Sequence, residues 1–124
     1  MRIAVTYENG FVGQHFGRTE EFKLYDVEDG GIVQEQILSA NGQSHGMLAA
    51  LLKGMDVELL ICGGIGMGAR YALNEMDIEL IPGVQGRADE AVRAYLSGTL
   101  VYDPDAECCH HDHEHSGDKY CHTA

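Results

Sequence analysis

The chain has 124 residues, of which 44% are hydrophobic, enough to fill one core and no more than one domain's worth of chain. Its formal charge is −12, with 7 basic and 16 acidic side chains in residues 1–105 and 1 and 4 in residues 106–124. Such a body repels phosphate backbones and anionic lipid, whose capture rests on Lys and Arg, so neither nucleic acid nor membrane is expected as a partner. No apolar run reaches the roughly 18 residues of a membrane span, and the opening MRIAVTYENG turns polar too early for a signal peptide. A cytoplasmic protein is expected.

Residues 2–7 (RIAVTY) read as a short buried strand, followed by a Gly-punctuated loop through ENGFVGQHFGR. Residues 21–28 (EFKLYDVE) alternate imperfectly, turn at Asp29-Gly30-Gly31 and return as IVQEQIL, a hairpin signature. Ser44 is placed to cap a helix through HGMLAALLKGM, whose Met47, Leu48, Leu51 and Leu52 recur at helical spacing up to Gly54. The apolar run VELLIC (57–62) ends in Gly63-Gly64, residues 69–76 read as a second helix, and IELI (78–81) as another strand. Residues 87–97 form a third helix with Ala88, Ala91, Val92, Tyr95 and Leu96 on one face and Gly98 as its stop. A further short strand is possible at 100–102. Strands alternating with helices imply one mixed α/β sheet, mainly parallel, covered by helices on both faces, with the hairpin adding one antiparallel strand.

Ligands of open α/β sheets bind beyond the carboxyl ends of the parallel strands. Three Gly-rich stretches belong there: QHFGR after the first strand, GGIGMG after VELLIC, and PGVQGR after IELI. Glycine lets a backbone approach closely, and helix amino termini favour an anion. Gly64-x-Gly66-x-x-Ala69 formally fits a dinucleotide fingerprint, but Pro82 and Gly83 stand where an acidic ribose ligand belongs. His15 and His45 are candidate ligands in Gly-flanked loops, and each alone also reads as an ordinary polar loop histidine. Met67 is either a soft ligand in the GGIGMG turn or a gap-filling apolar residue, while Cys62 reads as a small core hydrophobe. There is no G-x-S-x-G elbow, and the first strand holds no carboxylate before Glu8, so nucleophilic and two-metal catalysis find little support.

Past Asp103-Pro104-Asp105 hydrophobic periodicity stops, and residues 105–124 are expected to be a flexible His/Cys-rich tail. It holds Cys108, Cys109, His110, His111, His113, His115, Cys121 and His122. Thiolate and imidazole suit zinc, nickel, copper or iron, although adjacent Cys108-Cys109 is no standard zinc-finger spacing. Opportunistic metal affinity in a disordered acidic tail is the plainer alternative.

HFGR before a β-hairpin, a helix opening at HG, then GGIG-x-x-A-x-x-x-L, I-x-x-x-x-G-x-x-G and a closing AYLSGTL together resemble the dinitrogenase iron-molybdenum cofactor biosynthesis family, the group of NifX, NafY and the carboxyl-terminal domain of NifB. The resemblance covers residues 1–102. It implies a ribonuclease H-like fold in a cluster-binding domain of residues 1–104, and a role in binding a preformed metal-sulfur cluster without catalysing a reaction. The residues it points to are His15, Phe16, Gly17 and Arg18 of HFGR, His45 of HG, and Gly63, Gly64, Ile65, Gly66 and Met67 of the second turn. Partners would be the metallocluster, of Mo/Fe-S or related type, and the donor and acceptor proteins of cofactor assembly. The extra domain of NafY and the radical-enzyme portion of NifB have no counterpart here, so a role in nitrogenase does not follow. The competing reading is a zinc, nickel or copper storage module acting through the tail, and a third is a nucleotide-dependent enzyme.

Overall fold

The computed structural model describes residues 1–40 and 45–104, with His45 described through its backbone alone. Its strands are β1 (Arg2–Glu8), β2 (Phe11–Val12), β3 (Glu21–Glu28), β4 (Gly31–Ser39), β5 (Leu59–Ile61) and β6 (Glu79–Ile81). The helices are α1 (His45–Gly54), α2 (Met67–Glu75) and α3 (Ala88–Ser97), and a single 3-10 turn spans Phe16–Arg18. The sheet runs β4-β3-β1-β5-β6, with β2 attached to β1. β3 is antiparallel to both its neighbours, whereas β5 pairs in parallel with β1 and with β6. This is a single mixed sheet in which β2 and the hairpin's β3 run against the other strands.

The alternation of β1 explains its central place. Ile3 and Val5 face one side and Ala4 and Thr6 the other, and all four are fully buried. Thr6 is tolerated there because its hydroxyl donates to the Gly13 carbonyl at 2.9 Å. Opposite Ala4 and Thr6 in register stand Leu24 and Phe22, and this face packs on Leu48 and Leu52 of α1 and Leu73 of α2. Ile3 pairs with Tyr25 and Leu59, and that face packs on Ala88, Ala91 and Val92 of α3. Helices therefore cover both faces, two on one and one on the other.

Charged groups fix α3 to the sheet. The Asp89 carboxylate in its first turn accepts from the Tyr25 hydroxyl at 2.6 Å and from Lys23 Nζ at 2.9 Å. The Tyr25 bond, then the Lys23 bond, holds the Asp89 carboxyl below its ordinary range. Burial, reinforced by the bond to Asp89, pushes the Tyr25 phenol up. At the start of β1, Arg2 Nε meets Asp26 at 2.6 Å while its Nη1 donates to the Met55 carbonyl at 2.7 Å, tying the strand to the residue that follows α1.

The element order matches the sequence reading, with three differences. β2 was unexpected: Asn9 at φ 51° and Gly10 at φ 94° make a tight hairpin turn that sends Phe11–Val12 back along β1. α2 starts at Met67, two residues earlier than its apolar face suggests, because the Gly-rich turn already carries helical geometry at Met67 and Gly68. No strand forms at 100–102; instead the Asp103 amide donates to the Pro82 carbonyl at 3.0 Å. The proposed cap Ser44 and the tail from residue 105 lie outside the described residues.

Candidate functional site

The three glycine stretches do meet, and backbone hydrogen bonds hold them together. The Gly63 amide donates to the Gly13 carbonyl (3.1 Å), the Gly64 amide to Gln14 (2.8 Å), and the Phe16 amide returns to Gly64 (3.1 Å). His15 and Gly64 consequently form an isolated parallel bridge. On the far side, the Gly83 amide donates to Gly63 (2.9 Å) and the Val84 amide to Cys62 (3.0 Å), so the third turn is stitched to the second. The Gln14 side-chain amide joins the first loop to the third turn, donating to the carbonyls of Val12 at 3.0 Å and Val84 at 3.1 Å.

Close approach demands glycine at two of these points. A Cβ on Gly63 would lie 2.7 Å from the Gln14 Cα, and one on Gly83, at φ +73°, would lie 2.5 Å from the Asp103 Cβ. Glycine here serves loop-to-loop contact. The amides of Gly63 and Gly64 are therefore committed to carbonyls, which removes them as donors to a guest anion. The start of α2 offers further donors on this edge. Its N-cap is Gly66, which offers no side-chain cap, and Met67, Gly68 and Ala69 precede the first intrahelical bond, from the Arg70 amide to the Gly66 carbonyl at 3.1 Å.

The expected site residues divide by depth. His15, Gly17, Arg18, Gly66 and Met67 are exposed, and Gly64 is half-buried. Phe16 and Ile65 are buried in the core, Phe16 with its ring centroid 6.1 Å from that of Phe22. Their side chains anchor the two loops rather than line a cavity. Gly63 is buried as well. His45 is the first residue of α1, and its side chain is not among those described. Cys62 lies fully buried beside Ala4, Leu60 and Leu73 in the core cluster, as its place in an apolar run suggests. The eight Cys and His residues of the tail lie outside the described residues.

His15 and Arg18 share the wall of a cleft of about 320 Å³ with Tyr7, Gln14, Glu8 and Glu20. The cleft is also lined by Glu8, Glu20 and Glu21, so an anion gains more at the start of α2, where the helix dipole contributes about 0.3–1 kcal/mol per charge. Among the described residues no three His, Cys, Asp or Glu side chains converge on one point. A single imidazole suits an open position on a preformed cluster; a bare zinc ion asks for four ligands. Gln14 escaped the sequence reading, although its place directly before His15 in a loop that must reach Gly63 was the available signal.

A family model described as dinitrogenase iron-molybdenum cofactor matches residues 1–98. The chain belongs to that family. An uncharacterized protein of Methanocaldococcus jannaschii is 30% identical over 105 residues, 81% of this chain and 89% of that protein. The crystal structure of PH0822 is 29% identical and superposes with a TM-score of 0.79 over 85% of this chain and 96% of its own. The apo form of the orange protein from Desulfovibrio gigas, at 24% identity, shares the fold with a TM-score of 0.72 over 83% and 92% of the two chains. Iron-molybdenum cofactor family membership thus covers every element from β1 to α3, including the three joined loops. No helix among the described residues is long and apolar enough to cross a membrane.

Proposed function

We propose that this protein binds a preformed metal-sulfur cluster, of iron-molybdenum cofactor type or a related molybdenum, iron or copper sulfido cluster, and carries or stores it for cofactor assembly. It does so in the cytoplasm, without catalysing a reaction, between proteins that donate and accept the cluster. The observation that carries this reading is the backbone bridge between His15 and Gly64, which joins the loop of an exposed histidine to the turn that leads into α2, in a chain of this family. Such a cluster is bulky and anionic. Helix amides donate to its sulfides while the imidazole fills an open metal position, and Arg18, three residues on, adds positive charge. The order β4-β3-β1-β5-β6, with β3 antiparallel to both its neighbours and the hairpin to one side of β1, supports a ribonuclease H-like label.

The tail's metal-binding residues act as an accessory on this reading. Asp103 is bonded to Pro82, and Arg70 Nη1 in α2 donates to the Pro104 carbonyl at 2.9 Å, so the chain leaves the domain beside the same turn. The test is metal and sulfide analysis with a visible spectrum on anaerobically prepared protein, full-length and truncated after Asp105, before and after reconstitution with iron, molybdenum or copper and sulfide. The expected result is metal and sulfide together, retained by the truncated form and lost from His15→Ala at unchanged melting temperature. Metal without sulfide, abolished by truncation and indifferent to His15, would transfer the function to the tail and defeat the proposal.

A further inference from the structure

Gln14 stands directly before His15, and its side chain is held more firmly than an exposed glutamine requires. Its amide nitrogen lies 3.0 Å from the Val12 carbonyl and 3.1 Å from the Val84 carbonyl. Carbonyls only accept, so the nitrogen end must face them, and both of its hydrogens are used. The rest of the residue is seated on Gly63: a Cβ built on that glycine would meet the Gln14 Cα and Oε1 at 2.7 Å and its Cδ at 2.8 Å. The Gln14 carbonyl in turn accepts from the Gly64 amide at 2.8 Å. One residue thus seats the first loop on both of the others, its backbone on the second and its side chain on the third.

The fold itself does not need this clamp. The Val12 amide already donates to the Gly86 carbonyl at 2.8 Å, and the Ala88 amide to Gly10 at 3.0 Å, so backbone bonds alone hold β2 to the third turn. What the side chain adds lies downstream of Val12, where it ties the residue before His15 to Val84. His15 is extended, at φ −132° and ψ 103°, and exposed, and it hangs on the peptide that Gln14 begins. An amide fixed at both hydrogens and packed on a glycine leaves that peptide few alternatives. A ligand side chain held in one direction loses less entropy on engaging its guest than a loose one.

We infer that Gln14 is the positioning residue of the candidate site: by clamping the first loop over Gly63 to the Val84 carbonyl, its side-chain amide fixes the direction in which His15 meets a guest. The inference rests on the proposed reading of His15, through which Gln14 acts.

Gln14→Met keeps the length of the side chain, adds no charge and removes both donors. The full chains of wild type, Gln14→Met and Leu73→Ala are reconstituted anaerobically with iron, molybdenum or copper and sulfide, and the visible band is followed after a chelator is added. Gln14→Met should lose the band about tenfold faster than wild type, the lower end of what removing a group that orients a histidine ligand costs. Leu73→Ala, destabilised in the core far from the clamp, should lose it at the wild-type rate when every protein is held well below its melting temperature, which separates orientation from stability. A second readout needs no guest: three-bond couplings at the His15 Cβ should report one rotamer in wild type and an average in Gln14→Met. If Gln14→Met does not fold, Gln14→Ala, which also lacks the donors, takes its place. Equal rates in wild type and the Gln14 variant, equal acceleration in Leu73→Ala, or unchanged His15 couplings would each overturn the inference. A wild type that takes up no metal and sulfide would defeat the proposed function instead, and the couplings alone would then decide the role of Gln14.

Discussion

Gly63→Ala tests the claim that backbone contact, more than any side chain, builds the candidate site. The new Cβ would meet the Gln14 Cα at 2.7 Å and its Oε1 at 2.7 Å. Carbon atoms in contact sit about 3.5–4.0 Å apart, so the two loops must part by about 1 Å. That movement strains the bonds from Gly63 to Gly13, Gly64 to Gln14 and Phe16 to Gly64, which are 3.1, 2.8 and 3.1 Å long. Overpacking costs about 1–3 kcal/mol and each weakened bond a fraction of the roughly 1 kcal/mol it contributes. A loss of about 2–4 kcal/mol follows, or about 10–20 °C in melting temperature for a domain near 100 residues. Urea denaturation with unchanged m-value is the assay, and Gly17→Ala is the control, since a Cβ there has nothing within 4 Å. A Gly63→Ala protein within about 0.5 kcal/mol of wild type would refute the reasoning, because surface substitutions of no consequence fall in that range.

Three further perturbations address the core and the charge pair. Leu73→Ala, at a side chain only 1% exposed on the α2 face of the core, should cost about 2–5 kcal/mol by denaturation, without altering the α3 side. Tyr25→Phe removes the donor that lowers Asp89; with Asp89 42% exposed and still paired to Lys23, about 1 kcal/mol should be lost at neutral pH. Because the folded carboxyl titrates below its ordinary value of 3.8, its contribution is complete above that value and disappears as pH falls through the lower folded one. Stability of wild type measured from pH 6 to pH 2 should therefore drop more steeply at the acid end than that of Asp89→Asn, and parallel curves would remove Asp89 from the account.

Hydrophobic period and turn chemistry made most of this fold legible. The imperfect alternation of residues 21–28 places Phe22 and Leu24 on one face and Tyr25 and Val27 on the other, because β3 is buried on both sides, and Asp29-Gly30 turns at φ 53° and 77° as the dipeptide suggests. The same chemistry was present at Asn9-Gly10 and marks β2, but two paired residues are too few to leave a periodic trace. The site was legible as a set of loops and not as a geometry. Which amides of GGIG stay available depends on whether Gly13 and Gln14 come to meet them, and that contact joins residues about 50 positions apart, beyond the reach of any local pattern. Phe16 illustrates the same limit, since HFGR does not reveal that its aromatic side chain turns inward onto Phe22 while His15 turns outward.

A chain of formal charge −12 is at first sight a poor host for an anionic cluster. The distribution resolves the difficulty. The carboxylates of Glu8, Glu20 and Glu21 gather on the cleft side of His15, whereas the first turn of α2, Met67 to Arg70, carries no acidic residue. A helix amino terminus without an acidic first turn leaves the positive end of the dipole unquenched, a feature that α1 shares. α3 offers the contrast: Asp89 and Glu90 occupy its first turn, and Asp89 is already engaged by Tyr25 and Lys23. On the proposed reading, the start of α2 is a helix end favourable to a guest anion. Placing a carboxylate there should abolish its attraction while leaving the core untouched. Gly68→Asp is that substitution, and it should abolish cluster retention at unchanged or slightly raised thermal stability, since an acidic residue in the first turn stabilises the helix itself. Full retention in Gly68→Asp would show that the α2 terminus is not where the cluster binds.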